Sequence, residues 1–386
     1  MKKLLTCVLV AVFMLLSCSV RPQMAAVEVT MPEETITLAV LAREEELGAA
    51  ARALQARHGV RVELFEDSAI DLEAQLAAEN AVYDVLCVDY SFGSLYTADD
   101  WLEKGYIAEL ERPVVKDAVL AMWPSLQNLS MKNGAVYSLP VAARPYVLNA
   151  WVPTSYEDWA ALLNTEGFLL KDDGLVWACI LEQYMLDAMS EDFSFDNEAF
   201  AQTLEYAKRA HNAPSANHCG VDVPRLSLGM TARIEQESLL GAKAMADRLG
   251  WLPSVDGSWR IPMKVSVLVI PNGAPHAQQA QDLLAQAAAM GLYGDLSEEG
   301  QLSFGGSAAA ACYDRELQIA CTVGEDVQNR QRWRQIMQSA AVTPQAGFLS
   351  ECYVAEIGDY FDGKMDAQTC ANAVQARWNA RKMDGK

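Results

Sequence analysis

Positive charge is scarce in this chain: 30 lysines and arginines stand against 51 aspartates and glutamates, for a formal net charge of −21. An excess of that size repels phosphate backbones and anionic lipid head groups, which argues against a nucleic-acid partner. It describes solubility and says little about the lining of any pocket. Signatures of catalysis are missing too. There is no GxSxG, no HExxH, no P-loop and no serine or cysteine triad pattern, so an enzyme has little positive support. No CxxC or zinc-finger spacing occurs, and no metal or cofactor is expected. His211, His218 and Cys219 stand close together in "HNAPSANHCG", where polar loop residues are the simpler reading. No internal repeat or low-complexity tract is seen, and beyond the first residues no apolar run approaches spanning length.

What is present begins at the N-terminus. Lys2 and Lys3 precede "LLTCVLVAVFMLLS", Leu4 to Ser17, an uncharged run too short to cross a bilayer, which takes roughly 20 apolar residues. A basic start, a short apolar centre and a small-residue exit describe an export signal, residues 1–17. Leu15, Leu16, Ser17 and Cys18 resemble the bacterial lipobox, with Leu16 the less usual occupant of its slot. That resemblance implies diacylation of Cys18, the double anchor that stable membrane attachment needs. The mature chain is then expected outside the cytoplasm, fastened to the membrane. Residues 18–34, with Pro22 and Pro32 and no clear periodicity, read as a flexible tether.

A chain of 386 residues suffices for two modest domains, and an apolar share of 51% is that of a protein with a proper core. Removing the two leader lysines leaves 28 basic against 51 acidic residues, a formal −23. Once Cys7 and Cys18 are set aside, Cys87, Cys179, Cys219, Cys312, Cys321, Cys352 and Cys370 remain. That number is odd, so at least one thiol is free or pairs with another molecule. Cys312 and Cys321 are near enough in sequence for a small disulfide loop.

From Thr35 the pattern is regular. "TITLAVLA" (35–42), "GVRVELFE" (59–66) and "YDVLCVDY" (83–90) are short β-branched, apolar runs with helical stretches between them. In the first such stretch Glu44, Glu45 and Glu46 open the helix, while Arg52 and Arg57 close it, as the helix dipole favours. Strand, helix, strand, helix, strand predicts a parallel sheet covered on both faces. "TADDWLEKGYIAELE" reads as a helix, and Asn133-Gly134 as a turn. The segment after the turn carries Pro140 and Pro145, so it stays extended and reads as a strand leaving one sheet for another region. Residues 156–211 look mostly helical, with Asp196 a plausible N-cap for "FDNEAFAQTLEYAKRAH". "KVSVLVIPNGAPHAQQAQDLLAQAAAM" predicts a buried strand, 265–270, then a turn and a helix; the tail from about 326 is helical again.

In this order the segments resemble an extracellular solute-binding protein of an ABC importer, of the class that includes the sugar and maltose binders. "ITLAVL", "YDVLCVD" and "WLEKGYIAELE" are similar to the family's opening units, and "AVYSLPV" to its strand entering the hinge. "VPTSYEDW" is similar to the family's Pro-x-Thr-Trp-Asp-Glu helix start, with Tyr156 where tryptophan is usual. "WLPSVDG" with "VLVIPNGAPHAQQAQDLL" resembles its return strand and the helix after it, and "YFDGKMDAQTCANAVQARW" its closing helices. The likeness covers nearly the whole mature chain, though about ten residues usual between "YVLNAW" and "VPTSYEDW" are missing, a loop longer than most.

The resemblance implies an α/β fold of the periplasmic-binding-protein-like type II, with two α/β lobes, a hinge and a ligand cleft between them. Residues 35–142 plus 265–310 are expected to form the N-terminal lobe, and 143–264 plus 311–386 the C-terminal lobe. The implied role is capture of a small polar solute, with carbohydrate favoured, and delivery to a membrane permease by a monomer. The same fold serving a sensor or surface role without transport stays open. So does an anchored hydrolase, for which two carboxylates across a cleft would be needed.

Ligands of open α/β sheets sit beyond the carboxyl ends of the strands. That places Arg43 and Glu44, Glu66 and Asp67, and Asp89 and Tyr90 on one side of the expected cleft, with Asp89 the strongest candidate. On the other side stand Arg144 and Tyr146 near the hinge, Trp177, Glu182 and Tyr184, Trp251 and Trp259, and Tyr313. A sugar presents apolar C–H faces and a rim of hydroxyls, so it calls for an aromatic platform with planar polar partners. The chain's 9 Trp and 13 Tyr suffice for one, although Trp177 and Tyr184 serve equally as core, and Trp101 and Trp159 read as packing residues.

Overall fold

The computed structural model describes residues 36–42, 44–58, 60–66, 71–90, 98–150, 158–164, 169–170, 176–188, 192–213, 225–230, 249–250, 252–254, 261–293, 334–343 and 346–384. In chain order the first part forms β1 (Thr37–Leu41), α1 (Glu44–His58), β2 (Arg61–Phe65), α2 (Leu72–Ala77), β3 (Val85–Tyr90), α3 (Ala98–Glu103), α4 (Pro113–Leu120) and α5 (Pro124–Ser130). Next come β4 (Met131–Lys132), β5 (Ala135–Val136), β6 (Leu139–Ala150), α6 (Trp159–Leu163), β7 (Leu169–Leu170), α7 (Val176–Met185) and α8 (Glu198–His211). The remainder forms β8 (Arg225–Met230), β9 (Leu249–Gly250), β10 (Ile261–Val269), α9 (Ala277–Tyr293), β11 (Ala340–Val342), α10 (Ala346–Cys352), α11 (Gly358–Phe361) and α12 (Ala367–Asp384).

The three β-branched, apolar opening runs form strands, as expected. Leu38 and Val40 of β1 are fully buried, and both neighbours pair with β1 in parallel, Thr37 level with Arg61 and Leu41 level with Leu86. The strand order is therefore β2-β1-β3. The chain leaves β1 toward β2 and returns past it to β3, which makes the carboxyl ends of β1 and β3 a topological switch point. β3 runs four residues beyond the level of Leu41, about 13 Å at 3.3 Å per residue. At its other end the buried carboxylate of Asp84 accepts from the backbone N–H groups of Ala39 and His276, at 2.9 and 2.7 Å. It thereby ties β1 to the start of α9, which packs on α1 and α4.

Two long strands carry the chain onward. β6 pairs antiparallel with β10 from Leu139 to Pro145 and then, from Tyr146 to Ala150, with β8; Leu148 and Asn149 also pair with β9. β10 pairs with β3 through Val265–Val269 and with β11 through Ile261–Met263. Each strand thus belongs to one group of strands at one end and to another group at the other end, as the two prolines of β6 suggest. The resulting sheet runs β2-β1-β3-β10-β6-β8-β7, with β11 beside β10 and β9 beside β6. Between β4 and β5, Asn133 and Gly134 both take positive φ, 54° and 82°, the two-residue turn expected of Asn-Gly.

Two local expectations are corrected. The helix over "TADDWLEKGYIAELE" stops at Glu103: Gly105 takes φ +72°, the Tyr106 N–H returns to the Trp101 carbonyl, and Ile107 then bridges to Pro271. α8 is capped by Asn197 and not by Asp196. The Asn197 Oδ1 accepts from the Phe200 N–H at 2.8 Å while its amide donates to the Tyr184 hydroxyl and the Ser194 carbonyl. An amide can accept at the helix end and donate away from it at once, which a carboxylate cannot. α8 packs on α7 and α12 around Phe195, Phe200, Phe348 and Trp378, whose rings meet at centroid distances of 4.8–5.6 Å.

Candidate functional site

The carboxyl end of β3 meets the middle of β10 and β6. In β3 the side chains alternate: Val88 and Tyr90 are buried, while Cys87 and Asp89 stand on the partly exposed face. Asp89 is level with Ser266, and its two oxygens are held separately. Oδ1 accepts from the Ser266 hydroxyl at 2.6 Å, and Oδ2 pairs with Lys264 Nζ at 2.7 Å. Lys264 and Asp89 are 16% and 22% exposed, so this ion pair is sheltered but still reaches solvent. β10 is buried at every position but Lys264. Arg144 of β6 occupies the register position opposite Lys264, Ala142 the one opposite Ser266, and two residues beyond Arg144 comes Tyr146, where β6 exchanges β10 for β8.

The sheltered pair stands at the carboxyl end of β3, where ligands of open α/β sheets bind. Among the described residues no group of three or more His, Cys, Asp or Glu side chains is placed to hold a metal ion, and no helix is long and apolar enough to cross a membrane.

No family model matches the sequence, and no match is found among curated proteins. Solved structures do match. An ABC transporter solute-binding protein from Thermotoga lettingae, bound with α-D-tagatose, superposes with a TM-score of 0.62 at 14% identity over 90% of this chain and 99% of the other. An ABC substrate-binding protein from Listeria monocytogenes, in complex with cycloalternan, gives 0.62 at 11% identity over 92% and 100%. A receptor of Streptomyces glaucescens, solved without ligand and with acarbose, gives 0.61 at 14% over 90% and 98%. The chain has the solute-binding-protein fold.

Within the solute-binding fold the sequence candidates are distributed unevenly. Asp89 and the backbone of Arg144 both flank β10, level with Ser266 and Lys264. Glu44 opens α1 beside the switch point, and Glu66 lies exposed just past β2. Tyr90 is 2% exposed and Tyr146 3%, so both are packed inside. For Tyr90 the cause is the pleat, which turns it to the face opposite Asp89. Arg43, Asp67, Trp251, Trp259 and Tyr313 lie outside the described residues, as do Cys18 and the suggested Cys312–Cys321 loop.

Trp177 and Glu182 are in the interior. α7 is buried on every side from Val176 to Gln183, the mark of a core helix rather than a cleft wall. Trp177 stacks on Tyr353 at 4.5 Å and meets Phe361 edge-on at 5.6 Å. Glu182 accepts from the Thr343 hydroxyl at 3.2 Å, just past the end of β11; burial raises the thiol pKa of Cys179, one turn earlier, and the nearby Glu182 charge adds to it. Gln183 links two segments, accepting from the Trp159 indole at 2.7 Å and donating to the Pro253 carbonyl at 3.1 Å. Tyr184 is taken up by the α8 cap, its hydroxyl donating to the Ser194 carbonyl at 2.5 Å. Trp101 and Trp159 are buried, as packing residues are.

The residues that sequence reading missed are Lys264 and Ser266. Their signal was available: in "MKVSVLVI" one lysine and one serine interrupt a strand that is otherwise wholly apolar. A charge in such a place needs a partner or a task.

Proposed function

We propose that the protein is the extracytoplasmic solute-capture component of an ABC importer, held to the membrane by lipid on Cys18, which takes a carbohydrate into a cleft and passes it to a permease. The observation that carries this reading is the strand crossing in a solute-binding fold: β10, paired with β6, brings the Lys264 ammonium to the sheltered Asp89 carboxylate at the carboxyl end of β3. The three structural neighbours, whose complexes hold tagatose, cycloalternan and acarbose, support a saccharide as the class of guest. The lobes proposed are 35–142 plus 265–310 and 143–264 plus 311–386, with β6 and β10 as the connections that flex. Binding then works by contact with both lobes, because a solute shifts an open–closed equilibrium only if it touches the closed form better. No covalent chemistry is assigned.

Thermal-shift measurement on the full chain against a panel of saccharides, peptides and polyamines tests this. A saccharide at about one hundred times its Kd should raise Tm by about 5 °C. Asp89→Ala should abolish that rise while its own circular dichroism stays that of the wild type. A panel in which only peptides or polyamines stabilise would overturn the carbohydrate reading, and an undiminished shift in Asp89→Ala would remove Asp89 from the site.

A further inference from the structure

We infer that Asn133 is a site of spontaneous covalent modification: its carboxamide is lost through a succinimide formed with the backbone nitrogen of Gly134, while Asn272, which has the same neighbour, is spared. Asn-Gly occurs twice in the chain, at 133–134 and at 272–273. The two positions share their chemistry, because glycine has no side chain to shield the nitrogen that follows the asparagine. Their surroundings differ. Asn133 and Gly134 stand exposed in the turn between β4 and β5, and the Asn133 side chain makes no hydrogen bond with any described residue. A Cβ built at Gly134 would have nothing within 4 Å of it. Asn272 is half-buried and tied down. Its amide donates to the Gly105 carbonyl at 2.7 Å, its backbone N–H donates to the Tyr106 carbonyl at 2.8 Å, and Gly273 is packed against the Glu79 carbonyl.

The step needs water and no other reactant. Once hydroxide has taken the Gly134 N–H proton, the nitrogen attacks Cγ of Asn133 and closes an imide ring. The Cγ–Nδ2 bond breaks, and ammonia leaves with a proton from water, which restores the hydroxide. Water then adds to one of the two imide carbonyls and cleaves its C–N bond, leaving aspartate or isoaspartate at position 133. The sum is one water consumed and one ammonia released, with no change in oxidation state. Attack takes rotation about the Asn133 Cα–C bond, and so a brief opening of the turn. β4 and β5 pair only through Met131–Val136 and Lys132–Ala135, and a two-stranded ribbon so short opens at little cost. The same rotation at Asn272 breaks both of its hydrogen bonds and presses on the Glu79 contact. Isoaspartate puts an extra methylene into the main chain, so the two-residue turn with positive φ at both positions cannot re-form. Beyond the turn the Val136 carbonyl accepts from the Leu110 N–H at 2.7 Å and the Tyr137 N–H donates to the Ser130 carbonyl at 2.9 Å, which confines the change to the turn itself.

The test is incubation of the full chain in mildly alkaline buffer, folded and in concentrated urea, followed by peptide mapping with mass spectrometry. Isoaspartate is counted by enzymatic methylation with an isoaspartyl methyltransferase. In the folded protein the Asn133 peptide should convert at least about tenfold faster than the Asn272 peptide, and in urea the two rates should come within about threefold of each other. Asn133→Gln, whose longer side chain closes the imide ring far more slowly, should remove the isoaspartate signal of the folded protein. If that variant does not fold, the comparison of folded and urea-treated wild type decides. Equal conversion of the two peptides in the folded state, faster conversion of Asn272, or a folded Asn133 peptide that stays amidated while its urea counterpart converts would each overturn the inference.

Discussion

Gly273 turns between β10 and α9 at φ +79°, and a Cβ built there would stand 2.4 Å from the carbonyl oxygen of Glu79, itself at φ 50°. Two left-handed turns therefore touch, and only glycine fits both the angle and the gap. Gly273→Ala combines backbone strain with a backbone clash and should cost about 2–3 kcal/mol, read as a lower urea midpoint at unchanged m-value. An unshifted midpoint would show that the turns do not meet this closely. Asp366 gives a case that depends on pH. Its carboxylate accepts from the Thr369 N–H at 2.7 Å before α12, and that bond holds its pKa below the ordinary value of 3.8. A depressed pKa supplies stability above the unfolded value, and that stability is lost as pH falls through the folded one. Asp366→Ala should accordingly lower Tm at pH 7 by about 2 °C, and the two melting curves should converge as the medium is taken below pH 3.8. A difference that persists in strong acid would mean the cap contributes through something other than its charge.

Among the elements, the turn at Tyr353–Ile357 shows how backbone and aromatic packing are coupled. It is a π-helical turn between α10 and α11, closed by the Gly358 N–H on the Tyr353 carbonyl, and it sets the Tyr353 ring on Trp177. A Cβ at Gly358 would lie 2.7 Å from that carbonyl oxygen. Alanine gains about 1 kcal/mol in helix propensity over glycine, but forcing a methyl into a closed backbone contact costs about 1–3 kcal/mol, so Gly358→Ala should be destabilising on balance. The aromatic near-ultraviolet dichroism should fall with it, and a variant as stable as the wild type with an unchanged spectrum would refute the coupling. The same element shows where sequence reading stops. β1, β2 and β3 were legible because a short β-branched, apolar run is a local property, and β6 because proline acts on its own residue. The burial of α7 was not legible. "VWACILEQYM" has an aromatic, an acid and an amide of the kind a sugar site would use, and only the packing of α8 and the end of β11 around it shows that they are spent internally. Cys352 and Cys370 likewise gave no sign of their burial, which raises both thiols and brings Cys370 to about 12.

For the whole molecule the decisive property is the pair of strands that belong to two strand groups at once. A one-residue slip of β10 against β3 would separate Ser266 and Lys264 from Asp89 and turn the strand's apolar set outward, so burial of Val265, Val267 and Val269 enforces the register of the polar site. Fold and site are thus fixed by the same contacts. Val265–Val269 are paired with β3, and in the lobes proposed above closing is taken up along β6 and β10 near the places where their partners change, at Tyr146 and at Met263. This gives a prediction about shape. A ligand that binds only the strand crossing raises Tm and leaves the dimensions of the protein unaltered, whereas one that also touches residues carried by β8 and β9 draws the two groups of strands together. Small-angle scattering of the full chain should therefore show the radius of gyration, about 21 Å for a compact chain of this length, decreasing on saturation with the saccharide that gives the largest thermal shift. Asp89→Ala should remove the contraction together with the shift. A saturating ligand that stabilises the protein with no change in scattering would separate binding from closure and rule out flexing of β6 and β10 as its consequence.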